Sequence, residues 1–345
     1  MPHISVMIPN FNHAHLIGET IESVLNQTFK DFDIVVVDDA STDNSVHVIN
    51  EYVQANDRVR LVVNEKNLGL VRNWNKCLDL AEGPLVQIMQ SDDLIDPDYF
   101  AAVAETFDRY PEVGMVAATA RRIDDTGAII GESKAKDPQY YHAGDEAITA
   151  LLLGGYPHVT SIVVRRECYE TMGKYDESIW HGPDMEYDAR IVSKYDFYHF
   201  GRVYSSFRRH GMNMGILRTL RDDFMQTEIK KRRMTVSYLS AEGRAKLGIH
   251  DVDHYVFGHA AQAAVSGSLV MMAFGRFALS RRYLLQALRL SPSSTLRNDR
   301  FWRALASNLV PPAGKWMANR HIHITDDDRK RVEAVVKSLE TQRSK

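Results

Sequence analysis

The sequence predicts an α/β protein: a doubly wound, mostly parallel sheet with flanking helices, followed by a helical C-terminal region. Three observations carry this. From residue 4 to about residue 97, short apolar runs alternate with stretches of helical periodicity, the pattern of βαβ units. Three of those runs end in polar residues, Pro9 to Asn12, Asp38-Asp39 and Asp92-Asp93, and open α/β sheets bind ligands beyond the carboxyl ends of their strands. After about residue 216 the alternation stops and only helical patterns continue, so residues 1–215 are expected to form an α/β domain and 216–345 a helical region.

Taken in order, Ile4 to Ile8 reads as the first strand, ended by Pro9-Asn10-Phe11-Asn12. A helix from about His15 to Gln27 places Leu16, Ile17, Ile21, Val24 and Leu25 on one face. Phe32 to Val37 is a second strand leading into Asp38-Asp39-Ala40-Ser41-Thr42-Asp43, then a helix runs from Asn44 to Gln54 and a strand from Val59 to Val63. The stretch from Asn67 to Pro97 is the densest. Leu70, Trp74, Cys77 and Leu78 recur at helical spacing, Gly83-Pro84 stops that helix, and Leu85, Val86, Ile88 and Met89 form a short buried strand. Ser91, Asp92 and Asp93 follow. Two adjacent carboxylates repel, so such a turn binds a cation or hydrogen-bond donors; the alternative is a solvated turn that caps a helix beginning near Asp96-Pro97.

Further on, Val113 to Thr119 reads as a strand, Arg121 to Ile130 as a hairpin turning at Asp125-Thr126-Gly127, and Lys134 to Gly144, polar and aromatic, as a mobile loop. Val159 to Arg165 is a strand and leads into a helix ending at Gly173. Gly182-Pro183 opens another helix carrying Asp184, Tyr187 and Asp188, with Asp184 in the first turn. Tyr204 to Gly215 reads as a loop, and His13 and His15 as solvated loop residues.

The composition excludes several classes. Hydrophobic residues at 44%, charged residues at 25% and a net charge of −3 describe a globular protein with no basic footprint for nucleic acid. Cys77 and Cys168 fit neither a metal spacing nor a disulfide framework, which predicts a reducing compartment. The opening MPHISVMIPNFN has no signal-peptide pattern, and the most apolar window, Ala260 to Gly275, falls short of a spanning helix. No G-x-G-x-x-G follows the first strand and no G-x-x-x-x-G-K-[ST] occurs, so a bound diphosphate must be neutralised without a glycine-rich loop; a divalent cation on Asp92 is one solution.

SVMIPNFNHAHLIGETIESVLNQTF, FDIVVVDDASTDNS, NLGLVRNWNKCLDLAEG and SDDLIDP occur in that order, and together they resemble the family-2 inverting glycosyltransferases of the GT-A fold. The resemblance covers roughly the first 110 residues and continues more loosely to about residue 215. It implies a nucleotide-diphospho-sugar donor, a UDP-sugar first among them, a cofactor of Mn²⁺ or Mg²⁺, and a glycan or lipid-linked acceptor, as in bacterial surface polysaccharide synthesis. By position it implies Asp39 at the nucleotide base, Pro9 and Phe11 bordering it, Asn67 and Arg72 near the donor, and Gln90, Ser91 and Asp93 around the metal ligand Asp92. Gln90 stands where the family has the first Asp of its D-x-D-D turn. Asp184 and Arg190 match the D-x-x-x-x-x-R pattern of the family's general base, with Glu186 and Asp188 as runners-up and a helix cap as the plain alternative. His210 matches a metal or diphosphate contact, with Arg208 and Arg209 as phosphate partners; a loop histidine without such a role is the alternative.

In the C-terminal third, Arg218 to Leu239 reads as a charged helix, and His254 to Arg276 with Ala278 to Leu290 as a helix pair similar to one tetratricopeptide unit, too little for a repeat array. Phe301 to Met317 carries Trp302, Leu305, Leu309 and Trp316 among basic residues, for either an anionic membrane surface or packing on a protein surface. Asp326 to Lys345 reads as a charged helix. The reading is therefore a glycosyltransferase, cytoplasmic or peripheral on the inner face of the plasma membrane. A sugar-phosphate nucleotidyltransferase would need a glycine-rich loop where PNFNHAH stands. A non-catalytic scaffold is favoured by Gln90 and disfavoured by the joint presence of Asp39, Asp92, Asp184 and His210.

Overall fold

A computed structural model describes residues 3–131, 137–153, 157–209, 221, 223–274 and 276–309. The chain forms two compact units, Met1–Arg208 with Ser237–Leu247, and Arg209–Val236 with Gly248–Lys345.

The first unit is built on a ten-stranded sheet. It begins with β1 (Ile4–Asn10), α1 (Ile17–Leu25), β2 (Phe32–Asp38), α2 (Ser45–Ala55), β3 (Val59–Val63), α3 (Leu70–Leu80) and β4 (Leu85–Ile88). β1 pairs parallel with β2 and β4, and β2 parallel with β3, as the alternation predicts. Ile4, Val6 and Ile8 lie in a core with Ile17, Ile21 and Val24 of α1, and Ile34 and Val36 of β2. The two-residue spacing along strands and the three-to-four spacing along α1 bring these side chains to one layer.

Next come β5 (Leu94–Ile95), α4 (Tyr99–Arg109), β6 (Val113–Ile123), β7 (Ile129–Gly131), β8 (Gln139–Tyr141), α5 (Asp145–Leu153), β9 (Ile162–Arg165), α6 (Arg166–Met172), α7 (Asp184–Val192) and β10 (Asp196–Arg208). The strand order is β3-β2-β1-β4-β9-β6-β10-β5, with β7 beside β6 and β8 beside β10. β9 runs antiparallel to both β4 and β6, while β6 and β10 are parallel, so this half of the sheet is mixed. α9 (Ala241–Lys246) also belongs to the first unit; the Ser240 amide donates to Asp145 Oδ1 at 2.8 Å.

Three local expectations need correction. Val159 to Ser161 is a 3₁₀ turn preceding β9, because side chains take its carbonyls: Gln87 Nε2 donates to Thr160 O at 2.6 Å and Tyr99 Oη to Ser161 O at 2.6 Å. Within the stretch expected to be a loop, residues 139–141 form β8, drawn into the sheet by pairing with Phe197 to His199. Tyr204 to Arg208 is the end of β10, held by β6 on one side, with Ser205 and Ser206 paired to β5 on the other.

The second unit is helical, comprising α8 (Phe224–Ser237), α10 (Val252–Ala273), α11 (Phe277–Leu290), α12 (Pro292–Leu296) and α13 (Asp299–Leu309). α10 packs against α11, α12 and α13, with small residues Ala260, Ala261 and Ala264 buried along it. No helix among the described residues is long and apolar enough to cross a membrane. Residues 310–317 and the expected tail helix lie outside the described residues.

Candidate functional site

Two groups of residues lie at the carboxyl ends of the strands, and a third lies on helix α7. The first joins the loops after β1 and β2. Register sets Asn10 opposite Asp38, and Asn10 Nδ2 donates to Asp38 Oδ2 at 2.7 Å. Ser41 adds its amide and hydroxyl to the same carboxylate at 2.8 and 2.6 Å. Asn12 Oδ1 accepts the Thr42 amide at 2.7 Å. Both Asn12 and Ala40 have left-handed backbones, φ 57° and 58°, a conformation that costs a residue with a β-carbon about 1–2 kcal/mol. The stitching around Asp38 holds it, so Asp38 builds the loop and the next carboxylate, Asp39, is aimed the other way.

Asp39 is buried and accepts the Leu68 and Gly69 amides at 2.7 and 2.9 Å and Asn64 Nδ2 at 2.8 Å. Gly69 caps the start of α3, so the carboxylate sits at the positive end of that helix. Asn67 Nδ2 donates to the Asp39 carbonyl at 3.2 Å. Asp39 and Asn67 thus come together as predicted by position, with Pro9 at the end of β1 and Phe11 exposed in the adjoining loop. Arg72 points outward and pairs with Glu177 at 2.7 Å.

The second group is the acidic turn between β4 and β5. Asp93 is fully buried. Its Oδ1 accepts the Arg208 amide at 2.9 Å and its Oδ2 accepts Thr160 Oγ1 at 2.5 Å, while His158 Nδ1 lies 3.3 Å away. Asp93 therefore shapes the turn from inside, and Asp92, 8% exposed, is the carboxylate nearer the surface. Ser91 Oγ bonds His13 Nδ1 at 2.7 Å, so His13 belongs to the site and is not the solvated residue its spacing from His15 suggested. Gln90 Nε2 is buried and has no hydrogen-bond partner among the described residues, a donor left for a ligand oxygen.

Arg208 overturns one expectation. Its guanidinium is fully buried and donates to Asp92 O at 2.9 Å, to Asp124 O and Asp125 O at 3.0 Å each, and to Glu19 Oε2 at 2.6 Å. A side chain committed in this way pins the acidic turn to the β6–β7 hairpin and α1; it is no phosphate partner. His210 lies outside the described residues.

Burial pushes the Asp93 carboxyl well above its usual range, reinforced by the Asp92 charge, and drives His158 down to about 4. His158 is stacked on Phe207 with centroids 4.1 Å apart, and its lowered pKa favours the neutral ring. Because the folded pKa of His158 lies below the free value of 6.5, its contribution to stability is fully present above pH 6.5 and is lost as pH falls toward about 4. Asp93, whose pKa is raised, works in the opposite sense. Denaturant midpoints measured across this window are expected to fall more steeply for the parent protein than for His158→Gln; equal slopes would show that His158 does not titrate there.

The third group lies on α7. Glu186 is buried, with Arg190 Nε and Nη2 each 3.0 Å from its two oxygens and Tyr238 Oη donating at 2.5 Å. Arg190 also donates to Met172 O and Lys174 O, anchoring α7 to the turn at Gly173. Asp188 is buried, and burial followed by the Asp184 charge raises its pKa well above the carboxylate range. Neither runner-up is placed to take a proton from an incoming hydroxyl. Asp184, in the first turn, is only half-buried. Asn75 exchanges hydrogen bonds with the Tyr175 backbone, and Tyr175 meets Trp74 edge-to-face and Tyr187 in a tilted contact, which ties α7 to α3.

Among the described residues no three His, Cys, Asp or Glu side chains converge to hold a metal ion. The oxygen-bearing turn Gln90 to Asp92 suits a hard cation by ligand type, as long as water and substrate phosphates complete the shell.

A mixed, largely parallel α/β sheet flanked by helices, with a distinct C-terminal helical region, is the GT-A-like architecture. The structure of S. aureus TarS matches 84% of this chain and 55% of that chain, with a TM-score of 0.53 at 19% identity. TarS 1–349 in complex with UDP matches 88% of this chain and 90% of that one, with a TM-score of 0.52 at 17% identity. Residues 5–170 match the model for glycosyl transferase family 2, and this stretch of the chain belongs to that family. The chain is 40% identical over 120 residues to an uncharacterized protein of Mycobacterium tuberculosis, covering 35% of this chain and 37% of that protein. It is 26% identical over 216 residues to the chondroitin synthase of Pasteurella multocida, covering 63% of this chain and 22% of the synthase. The chondroitin synthase of Escherichia coli is 27% identical over 216 residues, 63% of this chain and 30% of that enzyme. The chain thus spans well under half the length of these three relatives.

Proposed function

We propose that this chain is an inverting glycosyltransferase that moves a sugar from a nucleotide diphosphate, UDP by preference, to a hydroxyl of a glycan or lipid-linked glycan in bacterial surface polysaccharide synthesis. The carrying observation is the division of labour on α7. Glu186 is taken up by Arg190 and Tyr238, Asp188 is withdrawn by burial, and Asp184 keeps exposure in the first turn. A carboxylate so placed accepts the proton of the acceptor hydroxyl as that oxygen attacks the anomeric carbon and the bond to the diphosphate breaks. Support for a UDP-sugar comes from TarS, whose structures are in complex with UDP and UDP-GlcNAc, and support for a glycan acceptor from the chondroitin and hyaluronan synthases. Asp39 and Asn67 would face the nucleotide, with Phe11 at the rim and Gln90 offering its amide to a ligand oxygen. Asp92 would hold Mn²⁺ or Mg²⁺, which when bound offsets the charge of the departing diphosphate. The fold and the two buried free cysteines accord with a cytoplasmic site of action, at the inner membrane face if the acceptor is lipid-linked.

Thermal shifts with UDP, GDP, dTDP and CDP, each with and without Mn²⁺, test this. One nucleotide is expected to stabilise the protein by about 2–3 kcal/mol at a hundred-fold excess over its Kd. Chelation of the metal, or Asp92→Asn, is expected to remove most of that gain. Stabilisation by no nucleotide would favour the reading that Gln90 supports, a degenerate domain serving as a scaffold.

A further inference from the structure

The second unit carries a surface that the transfer reaction does not use. Residues 276–309 contain seven arginines, no lysine and a single carboxylate, Asp299, within a chain whose net charge is −3. Among these arginines the exposed large apolar side chains of the unit also occur: Leu285 at 56%, Leu296 at 47%, Trp302 at 51% and Leu305 at 36%.

These are not core residues misplaced. α13 already has an inward side, with Phe301 and Ala304 buried and Asn308 Nδ2 bonded to Ser280 Oγ at 2.9 Å. Trp302 and Leu305 form a second, outward apolar stripe on the same helix. Trp302 Nε1 donates to Leu296 O at 2.9 Å, which satisfies its polar atom, leaves the ring face available and fixes the end of α12 against the first turn of α13. Arg297, Arg300 and Arg303 are exposed around that junction. On α11, Arg281, Leu285 and Arg289 are exposed at four-residue spacing, so the same mixture continues on one stripe of that helix.

An apolar partner alone would leave the arginines desolvated, and a nucleic acid would give the tryptophan and leucines no hydrophobic medium. A bilayer surface with anionic headgroups supplies both: phosphates for guanidinium groups and the acyl boundary for an indole ring and leucines. From this charge complementarity we infer that the α12–α13 junction, continued on α11, is a docking face for an anionic membrane surface. The inference stands apart from the glycosyltransferase reading, because it is tested without nucleotide.

The test is flotation of the full chain with vesicles of phosphatidylglycerol mixed with phosphatidylcholine, against vesicles of phosphatidylcholine alone. Binding is expected only to the mixed vesicles and should weaken at high salt. Arg297→Gln, Arg300→Gln and Arg303→Gln together should weaken binding about a hundred-fold, at about five-fold per arginine. Trp302→Ser should weaken it with every charge retained. All these side chains are exposed, so unchanged thermal midpoints and unchanged nucleotide stabilisation would show intact folding and an intact donor site. The inference is overturned if the parent protein ignores the mixed vesicles or binds both vesicle types equally. It is also overturned if the triple variant binds like the parent, or if Trp302→Ser has no effect while heparin competes fully, which would mark a general polyanion site.

Discussion

Replacing Asp184 by Asn is expected to lower the rate of sugar transfer by about two to four orders of magnitude, the usual share of a general base, while nucleotide stabilisation stays near that of the parent protein. The substitution keeps size and hydrogen-bonding capacity and removes only the ability to take a proton. Asp184 has no rival on its own helix. Glu186 cannot leave Arg190 and Tyr238 without stripping a partly buried cation and a phenol of their partner, and an ionised Asp188 would be a buried charge one turn from another carboxylate. Asp188→Asn is therefore the informative companion: burial already disfavours its charged form, so removing the charge should leave transfer at nearly the parent rate. The measurement is initial rate at saturating donor, with a thermal-shift titration of UDP on the same preparations. An Asp184→Asn enzyme within about ten-fold of the parent rate would remove Asp184 from the base role.

Arg208→Met is expected to destabilise the first unit by about 3–5 kcal/mol, since it takes the donor from three carbonyls at once, each costing about 1–3 kcal/mol when left unpaired away from water. Methionine fills much of the volume but offers no donors, so the carbonyls of Asp92, Asp124 and Asp125 lose their partner together. Glu19, which is half exposed, can turn to water, so the cost comes chiefly from those carbonyls and from the loosened acidic turn. Urea denaturation followed by circular dichroism measures it. Arg208→Lys should recover only part of the loss, because an ammonium cannot reach the carbonyls of Asp92, Asp124 and Asp125 and the Glu19 carboxylate at once. A loss under about 1 kcal/mol for Arg208→Met would show that water replaces the guanidinium at little cost.

Much of the first unit is legible in the chain because its information is local. The strand expected from Val59 to Val63 is β3, and the helix opened by Leu70 is α3, since apolar periodicity and the Gly83-Pro84 stop act over a few residues. The same holds for Asp184 in the first turn of α7, which Gly182-Pro183 announces.

What only the tertiary structure decided depends on partners far along the chain. Asp92 and Asp93 are neighbours of identical chemistry, yet one stays near the surface and the other is buried, because Thr160, His158 and the backbone of Arg208 arrive from 65 to 115 residues away. Arg208 looks in sequence like a phosphate ligand beside Arg209 and becomes a buried pin, since β10 carries it into the sheet next to β6. His13, spaced like a solvated residue, meets Ser91 only when β1 and β4 lie side by side. Periodicity encodes which face of an element is apolar. It does not encode which distant polar group will reach a given carboxylate, and in this turn that pairing decides which acid is drawn into the interior and which stays nearer the surface.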